Sequence, residues 1–270
     1  MGGIVLKLGI TAESMAHNLS VVIITLNESR NLTSLLPDIP KGAEIVLVDS
    51  GSTDGTVSLA ESFGAKVFIR SFDDYASQKN FAMEQATRPW TLCLDADERP
   101  DADLWSDIIR VSSVEPHESK AYSLKRRLVF QGKPLSHGRS MERIVRLFQS
   151  KTARYQNEIH EKLFFKVTAT IEPLRGTLWH WSYYDLDDYF SRFNRYTSMM
   201  AKTRFDAHKA CPPEVVLALR LPIDFFTRYF LKLGVLDGWP GFLWALFGSF
   251  YGFVKYAKLR ELYRDAAGNK

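Results

Sequence analysis

Three short runs of apolar, mostly β-branched residues stand out in the first hundred positions: 19–25 (LSVVIIT), 44–48 (EIVLV) and 90–94 (WTLCL). Continuous rather than alternating hydrophobicity is what a strand covered on both faces requires. Between these runs the apolar spacing becomes helical. One helix is expected over 27–36, ending at Pro37. A second starts at the capping residues Ser52, Thr53 and Asp54, runs through Phe63 and stops at Gly64. A strand over 66–70 and helices over 75–86 and 101–111 complete the pattern. Alternating strands and helices with short connections predict a mostly parallel sheet with helices on both faces.

The pattern changes after Val114. Residues 121–130, 143–148 and 162–170 read as strands rich in basic side chains, and 186–210 as a polar helix ending before Pro212 and Pro213. Two aromatic, apolar runs follow, 225–233 (FFTRYFLKL) and 241–256 (GFLWALFGSFYGFVKY), separated by the sequence DGWPG. The second is uncharged from Gly241 to Val254, shorter than the ~20 residues a membrane-spanning helix needs, and Lys255, Lys258 and Arg260 come after it. Aromatic and cationic anchors of this kind suit an amphipathic pair lying on a bilayer surface; a buried helical hairpin is the other reading. The expected organisation is a tail over 1–18, a nucleotide-binding α/β half over 19–115, an acceptor-binding and catalytic half over 116–184, and a helical, membrane-associating extension over 185–270.

Composition adds bounds. With 270 residues, 46% of them hydrophobic, the chain can bury a full core, and its net charge of +4 singles out no partner. Its distribution says more: between Lys120 and Lys166 there are twelve Lys or Arg, three Glu and no Asp. Such a stretch can meet phosphates or anionic lipid, or can simply be a solvated surface. Cys93 and Cys211 have neither metal-ligand spacing nor a disulfide framework, as in a reducing cytosol. The apolar start, 2–10, is short and broken by Lys7, so no signal peptide is expected.

The candidate chemistry gathers where the strands end. In an open parallel sheet, ligands bind outside the carboxyl ends of the strands. The first strand ends in Thr25, Leu26, Asn27 and Glu28, the second in 49–56 (DSGSTDGT), the fourth in 95–98 (DADE). An Asp-x-Asp pair at a strand end is a reasonable site for Mg²⁺ or Mn²⁺, since hard cations combine few carboxylates with diphosphate oxygens. No GxGxxG follows the first strand and no Walker lysine is present, which disfavours a dinucleotide or P-loop fold.

The ordered set 25–28 (TLNE), 48–56 (VDSGSTDGT), Lys79 with Asn80, and 94–98 (LDADE) resembles the signatures of family 2 inverting glycosyltransferases. The resemblance implies a GT-A fold, a Rossmann-like nucleotide-sugar-binding architecture. It implies that Thr25, Asn27 and Glu28 line the nucleotide pocket, that Asp49 contacts the base, usually uracil, and that Lys79 stands where the family often has Arg. Asp95 would lie near the ribose or metal, and Asp97 would bind the metal. Residues 146–148 (RLF), 157–161 (NEIHE), 229–238 (YFLKLGVLDG) and 256–258 (YAK) also look like bacterial lipopolysaccharide core glucosyltransferases. That narrower resemblance implies transfer of glucose from UDP-glucose to an inner-core heptose, by a peripheral enzyme on the cytoplasmic face of the inner membrane. The partners would be a UDP-sugar, a lipid-linked core oligosaccharide and the membrane surface, with no nucleic acid beyond the nucleotide.

An inverting transferase needs a carboxylate opposite the departing nucleotide to take the acceptor proton. Glu161 is the candidate, with His160 orienting it; Glu158 and Asp101 are the alternatives. Arg126, Arg127, Arg139, Arg143 and Arg146 form a candidate set for acceptor phosphates and carboxylates, which Arg recognises bidentately. His180, between two Trp residues, reads first as a packed histidine. Competing readings are another lipid-linked acceptor, a haloacid-dehalogenase-type phosphatase built on the same Asp-x-Asp, and a non-catalytic membrane-surface module.

Overall fold

A computed structural model describes residues 16–115, 119–156 and 162–268. The chain divides into two compact units, each assembled from two stretches: 16–126 with 143–180, and 127–142 with 181–268. This division by packing is interleaved, whereas the expected boundaries at 115 and 184 divide the chain by role.

The first unit contains β1 (Leu19–Thr25), α1 (Ser29–Leu35), β2 (Glu44–Asp49), α2 (Thr56–Ser62), β3 (Lys66–Ile69), α3 (Tyr75–Gln85) and β4 (Trp90–Asp95). β5 (Glu98–Pro100) and α4 (Ala102–Ser112) follow. β6 (Lys120–Phe130) leads into β7 (Lys133–Pro134), and β8 (Met141–Gln149) returns. The short strands β9 (Ala153–Gln156), β10 (Lys162–Phe165), β11 (Thr170–Pro173) and β12 (Leu178–His180) complete it. Among the described residues the main sheet has the order β3-β2-β1-β4-β8-β6-β12-β5, with β11 beside β6.

The sheet is mixed, not mostly parallel. β3, β2, β1 and β4 run parallel, as the continuous apolar runs predict, but β8 lies antiparallel to β4 and β12 antiparallel to β5. The expected strand over 162–170 is two: β10 pairs with β9 in a separate ribbon, and β11 pairs with β6. One face of the sheet buries Val21, Ile23, Leu47, Leu92 and Leu94 against Leu32, Leu35 and Leu104. The other face buries Val22, Val46, Val48 and Cys93 against Ala76, Ala82 and Met83 of α3. Both faces are covered, so the strands need no polar alternation. Gly176 closes one tight approach: at φ +81°, a Cβ there would lie 2.3 Å from the backbone nitrogen of Leu104, so a side chain at 176 would displace the start of α4.

In the second unit β6 ends in a turn to β7, and three helices pack together: α5 (Leu186–Asp206), α6 (Glu214–Phe226) and α7 (Gly238–Gly268). Its core joins Leu128, Phe130 and Leu135 to Tyr189, Phe193 and Leu243. Of the two readings of 241–256, the packing of its inner side matches the helical-hairpin one. Leu243, Ala245, Ser249 and Tyr256 are buried, and Phe242, Trp244, Phe247 and Tyr251 pack against that core. Exposed apolar surface is densest on α6 and the π-helical turn Thr227–Leu231 after it, and Trp239, Leu246 and Phe250 of α7 are exposed as well. Val215, Val216, Leu219, Ile223, Phe226 and Phe230 recur at three- and four-residue spacing and stay solvent-facing, while Leu217 alone on α6 is buried. No described helix is long and apolar enough to cross a membrane.

Candidate active site

The register of the parallel strands sets the site. Thr25 lies opposite Asp49, and Ile24 opposite Asp95, so the ends of β2, β1 and β4 share one edge of the sheet. The hydroxyl of Thr25 donates to Asp49 Oδ1 at 2.9 Å, clasping two strand ends together. Asp49 is fully buried; its Oδ2 accepts from the backbone nitrogens of Gly51 (2.9 Å) and Ser52 (2.7 Å). With both oxygens engaged inside the protein, Asp49 shapes the loop that would flank a base.

Asn27 takes a left-handed backbone (φ +56°), which Asn tolerates better than most residues. Its Oδ1 accepts from Thr53 N at 2.8 Å, and its own N–H donates to Ser52 Oγ at 2.7 Å, so the loops after β1 and β2 lock together. The Glu28 N–H donates to Thr56 Oγ1 at 2.9 Å, and Glu28 Oε2 accepts from Asn31 at 2.7 Å. Asp54, not foreseen as a site residue, ties the same loops by accepting from Ser29 N and Thr56 N, each at 3.1 Å. Desolvation would push its carboxyl up, but hydrogen bonds from Thr56 and Ser29 win and hold it at about 2.

After β4 the charges form a chain. Asp95 accepts from Lys79 Nζ at 2.9 Å and from Arg146 Nη2 at 2.6 Å. Arg146 also reaches Glu98 Oε1 at 2.9 Å, and Arg126 reaches the same oxygen at 2.9 Å. Glu98, fully buried, accepts through Oε2 from Asp95 N at 3.0 Å. Burial opposes ionisation of Asp95, yet Arg146 and Lys79 hold its carboxyl far below the usual carboxylate range. Burial likewise works against the charge on Arg146, while Asp95 and Glu98 keep it protonated well above the ordinary range.

Asp97 stands apart from this chain. His180 Nε2 lies 3.4 Å from its Oδ2, so the histidine is a site neighbour as well as a packed residue. Burial disfavours the imidazolium, but Asp97 raises the His180 pKa above its ordinary value. Sequence order hides this contact, because β12 meets β5 with His180 opposite Glu98 only in the fold. Among the described residues no three His, Cys, Asp or Glu side chains gather into a ready metal cage. Asp97 and His180 lie beside the neutralised Asp95 and Glu98, and one carboxylate with one imidazole fits a cation completed by ligand oxygens.

The five arginines are divided between the two units. Arg126 and Arg146 are committed to Glu98 and Asp95 in the first unit. Arg143, exposed, donates to the Ser123 carbonyl at 3.3 Å. Arg127 and Arg139 belong to the second unit, where Arg127 donates to the Leu135 carbonyl at 3.3 Å and to Ser136 Oγ. Asp101, one alternative base, is the N-cap of α4, accepting from Leu104 N at 2.8 Å. Glu161, His160 and Glu158 lie outside the described residues.

The family model "Glycosyl transferase family 2" matches residues 20–169. The lipopolysaccharide core biosynthesis glycosyltransferase LpsC of Rhizobium meliloti is 30% identical over 252 residues, covering 90% of this chain and 92% of that protein. A glycosyltransferase of Rickettsia prowazekii is 28% identical over 256 residues, covering 90% and 87%. Among solved structures, Staphylococcus aureus TarS 1–349 in complex with UDP-GlcNAc aligns over 92% of both chains with 14% identity and a TM-score of 0.46. The mixed sheet with flanking helices is a GT-A-like glycosyltransferase fold, and the chain belongs to glycosyl transferase family 2.

Proposed function

We propose that the chain transfers a sugar, glucose from UDP-glucose, to a heptose of a lipid-linked lipopolysaccharide inner core, with inversion at the anomeric carbon. The observation that carries this reading is the shared sheet edge, where the Thr25–Asp49 clasp and the Asp95–Arg146–Glu98 chain stand beside the Asp97–His180 pair. The whole-length similarity to LpsC, a core biosynthesis glycosyltransferase, supports the acceptor class.

Thr25, Asn27, Glu28 and the 49–54 loop would seat the nucleotide. Their mutual hydrogen bonds form the wall in advance, so little ordering remains for binding to impose. Lys79 and Arg146 fix Asp95 and add positive field beside the leaving diphosphate. Asp97 and His180 would hold Mg²⁺ or Mn²⁺, which when bound offsets the charge growing on that diphosphate. Glu161, with His160 beside it in sequence, would accept the proton of the acceptor hydroxyl as its oxygen attacks the anomeric carbon and the bond to UDP breaks. Attack from the back face turns an α-linked donor into a β-linked product. The exposed stripe of α6 would rest on the bilayer that carries the acceptor.

The test is a donor screen that measures UDP release from UDP-sugars in the presence of extracted core oligosaccharide and Mn²⁺ or Mg²⁺. UDP-glucose-dependent transfer is expected. Glu161→Gln should retain UDP binding by calorimetry and lose transfer; persistence of transfer would move the base to another carboxylate. Transfer only to a polyprenyl phosphate would keep the enzyme class and replace the acceptor.

A further inference from the structure

The loop between β7 and β8 has a shape that nothing in the sugar-transfer chemistry explains. Its residues Ser136, His137, Gly138, Arg139, Ser140 and Met141, together with Lys232, line a cavity of about 370 Å³ in the second unit. Three of these carry cationic or ionisable nitrogen, two carry hydroxyls, and none is acidic. Gly138 and Arg139 are both left-handed, at φ +66° and +68°. For Arg that conformation costs energy and persists only where the surroundings impose it.

The surroundings here are Asp237 and the turn before it. The buried carboxylate of Asp237 accepts from Ser136 N at 3.0 Å, from His137 N at 2.8 Å, and pairs with His137 Nδ1 at 3.1 Å. Gly138 N donates to the Lys232 carbonyl at 2.9 Å. The one nearby acid in these contacts is thus spent on holding the loop. Behind the loop, Arg127 donates to Ser136 Oγ. Two buried donors of this unit find no hydrogen-bond acceptor among the described residues, Nε1 of Trp244 and Nε of Arg228. The Trp244 ring lies against Gly138, whose added Cβ would stand 3.9 Å from Trp244 Cδ1 and 3.6 Å from the Arg228 carbonyl, while the Arg228 guanidinium itself faces Gly248. Burial depresses the Arg228 pKa, Asp224 works against that, and Arg139 adds to the depression.

Lys232 also connects this cavity to the apolar surface. It sits between Leu231 and Leu233, both exposed, at the end of the stripe that begins on α6; Val235, Leu236 and Trp239 continue that surface. Cations next to exposed apolar and aromatic side chains are the arrangement that anionic interfaces select.

We propose that this cavity is a binding site for the phosphate group of a membrane-borne lipid. It rests on the reading that the second unit works at a bilayer surface, and it is separate from the nucleotide site. Arg139 and Lys232 supply the charge, Ser140 and His137 the directional contacts, and the stripe from Val215 to Trp239 the lipid-facing side.

The experiment uses the full chain and vesicles of phosphatidylcholine with or without one-fifth phosphatidic acid, read by co-sedimentation. The paired variant Arg139→Gly with Lys232→Gln removes two charges, and glycine accepts the left-handed backbone at 139 without strain. Its affinity for the acidic vesicles should fall roughly 30-fold, about fivefold for each cation. A control pair, Lys202→Gln with Arg264→Gln, removes two exposed cations elsewhere in the unit and should fall much less. Inorganic phosphate should compete better than chloride at equal ionic strength. The proposal is overturned if the pocket pair binds as tightly as the wild type, or loses no more than the control pair. Tight binding of inorganic phosphate without preference for acidic vesicles would assign the site to a free anion and overturn the lipid source. UDP calorimetry on the unaltered chain keeps the two readings apart: no UDP binding with intact vesicle binding sinks the transferase reading and leaves this one standing.

Discussion

Arg146→Met is the substitution most informative about the charge chain at the sheet edge. The guanidinium is buried and joins Asp95 Oδ2 at 2.6 Å to Glu98 Oε1 at 2.9 Å. Removing one partner from a buried ion network costs about 3–5 kcal/mol because the others are left uncompensated. Two features pull the value to the lower end. Asp95 retains Lys79 and is still 29% exposed, and Glu98 retains Arg126. A loss of about 3 kcal/mol lowers the midpoint of a unit this size by roughly 6–12 °C. The effect should also depend on pH. The Asp95 carboxyl is held below its unfolded value, so its contribution is complete above the ordinary carboxylate range and is lost as pH falls through the folded value. The gap between wild type and variant should therefore be widest near neutrality and narrow below about pH 4. Calorimetric melts from pH 3 to 7 would measure it. A variant melting within a degree of wild type at pH 7 would refute the view that this chain of charges holds the site together.

Three further outcomes are expected. Asp97→Ala should lower turnover by a factor of about 100 or more while leaving the melting midpoint near that of wild type, since Asp97 lies outside the Asp95–Arg146–Glu98 chain and pairs with His180 at 3.4 Å; activity assays with circular dichroism check both halves. Glu44 lies under strong control too: burial would raise it, but Lys66, Ser20 and Thr87 bring it down to about 2. That depression corresponds to about 3 kcal/mol of stability, present above pH 4–5 and lost as pH falls towards 2, so denaturant midpoints for Glu44→Gln should fall less steeply with acid than those of the wild type. Deleting 241–268 should cause aggregation rather than release a freely dispersed enzyme, because Leu243 and Ala245 belong to the core of the second unit; size-exclusion chromatography decides.

What could be read from the sequence follows from where the information is local. β1, β2 and β4 are unbroken apolar runs buried on both faces, so their composition alone marks them, and their acidic ends follow from the parallel order. Strands of three or four residues such as β5 and β12 carry no usable periodicity; their pairing is decided by the rest of the sheet, and with it the His180–Asp97 contact. The ion pairs of the basic stretch were hidden for a related reason. Arg126 and Arg146 sit on strands, and their partners, Asp95 and Glu98, lie about 30–50 positions earlier in the chain. The helical part was only partly legible. Pro212, Pro213 and Pro222 concealed α6, whose middle accommodates a proline, while the strongly apolar 241–256 run is hydrophobic because it is core.

The interleaved boundaries carry a consequence for how such a protein can change over time. The turn-and-strand segment 127–142 and the helices after 181 supply opposite walls of one core, through Leu128, Phe130 and Leu135 on one side and Tyr189, Phe193 and Leu243 on the other. A genetic exchange with a single crossover point would pair one lineage's aromatic helices with another's segment and leave mismatched volumes where they meet. Inheritance of a new specificity in this part of the molecule must therefore move both stretches together, or advance by small compensating steps.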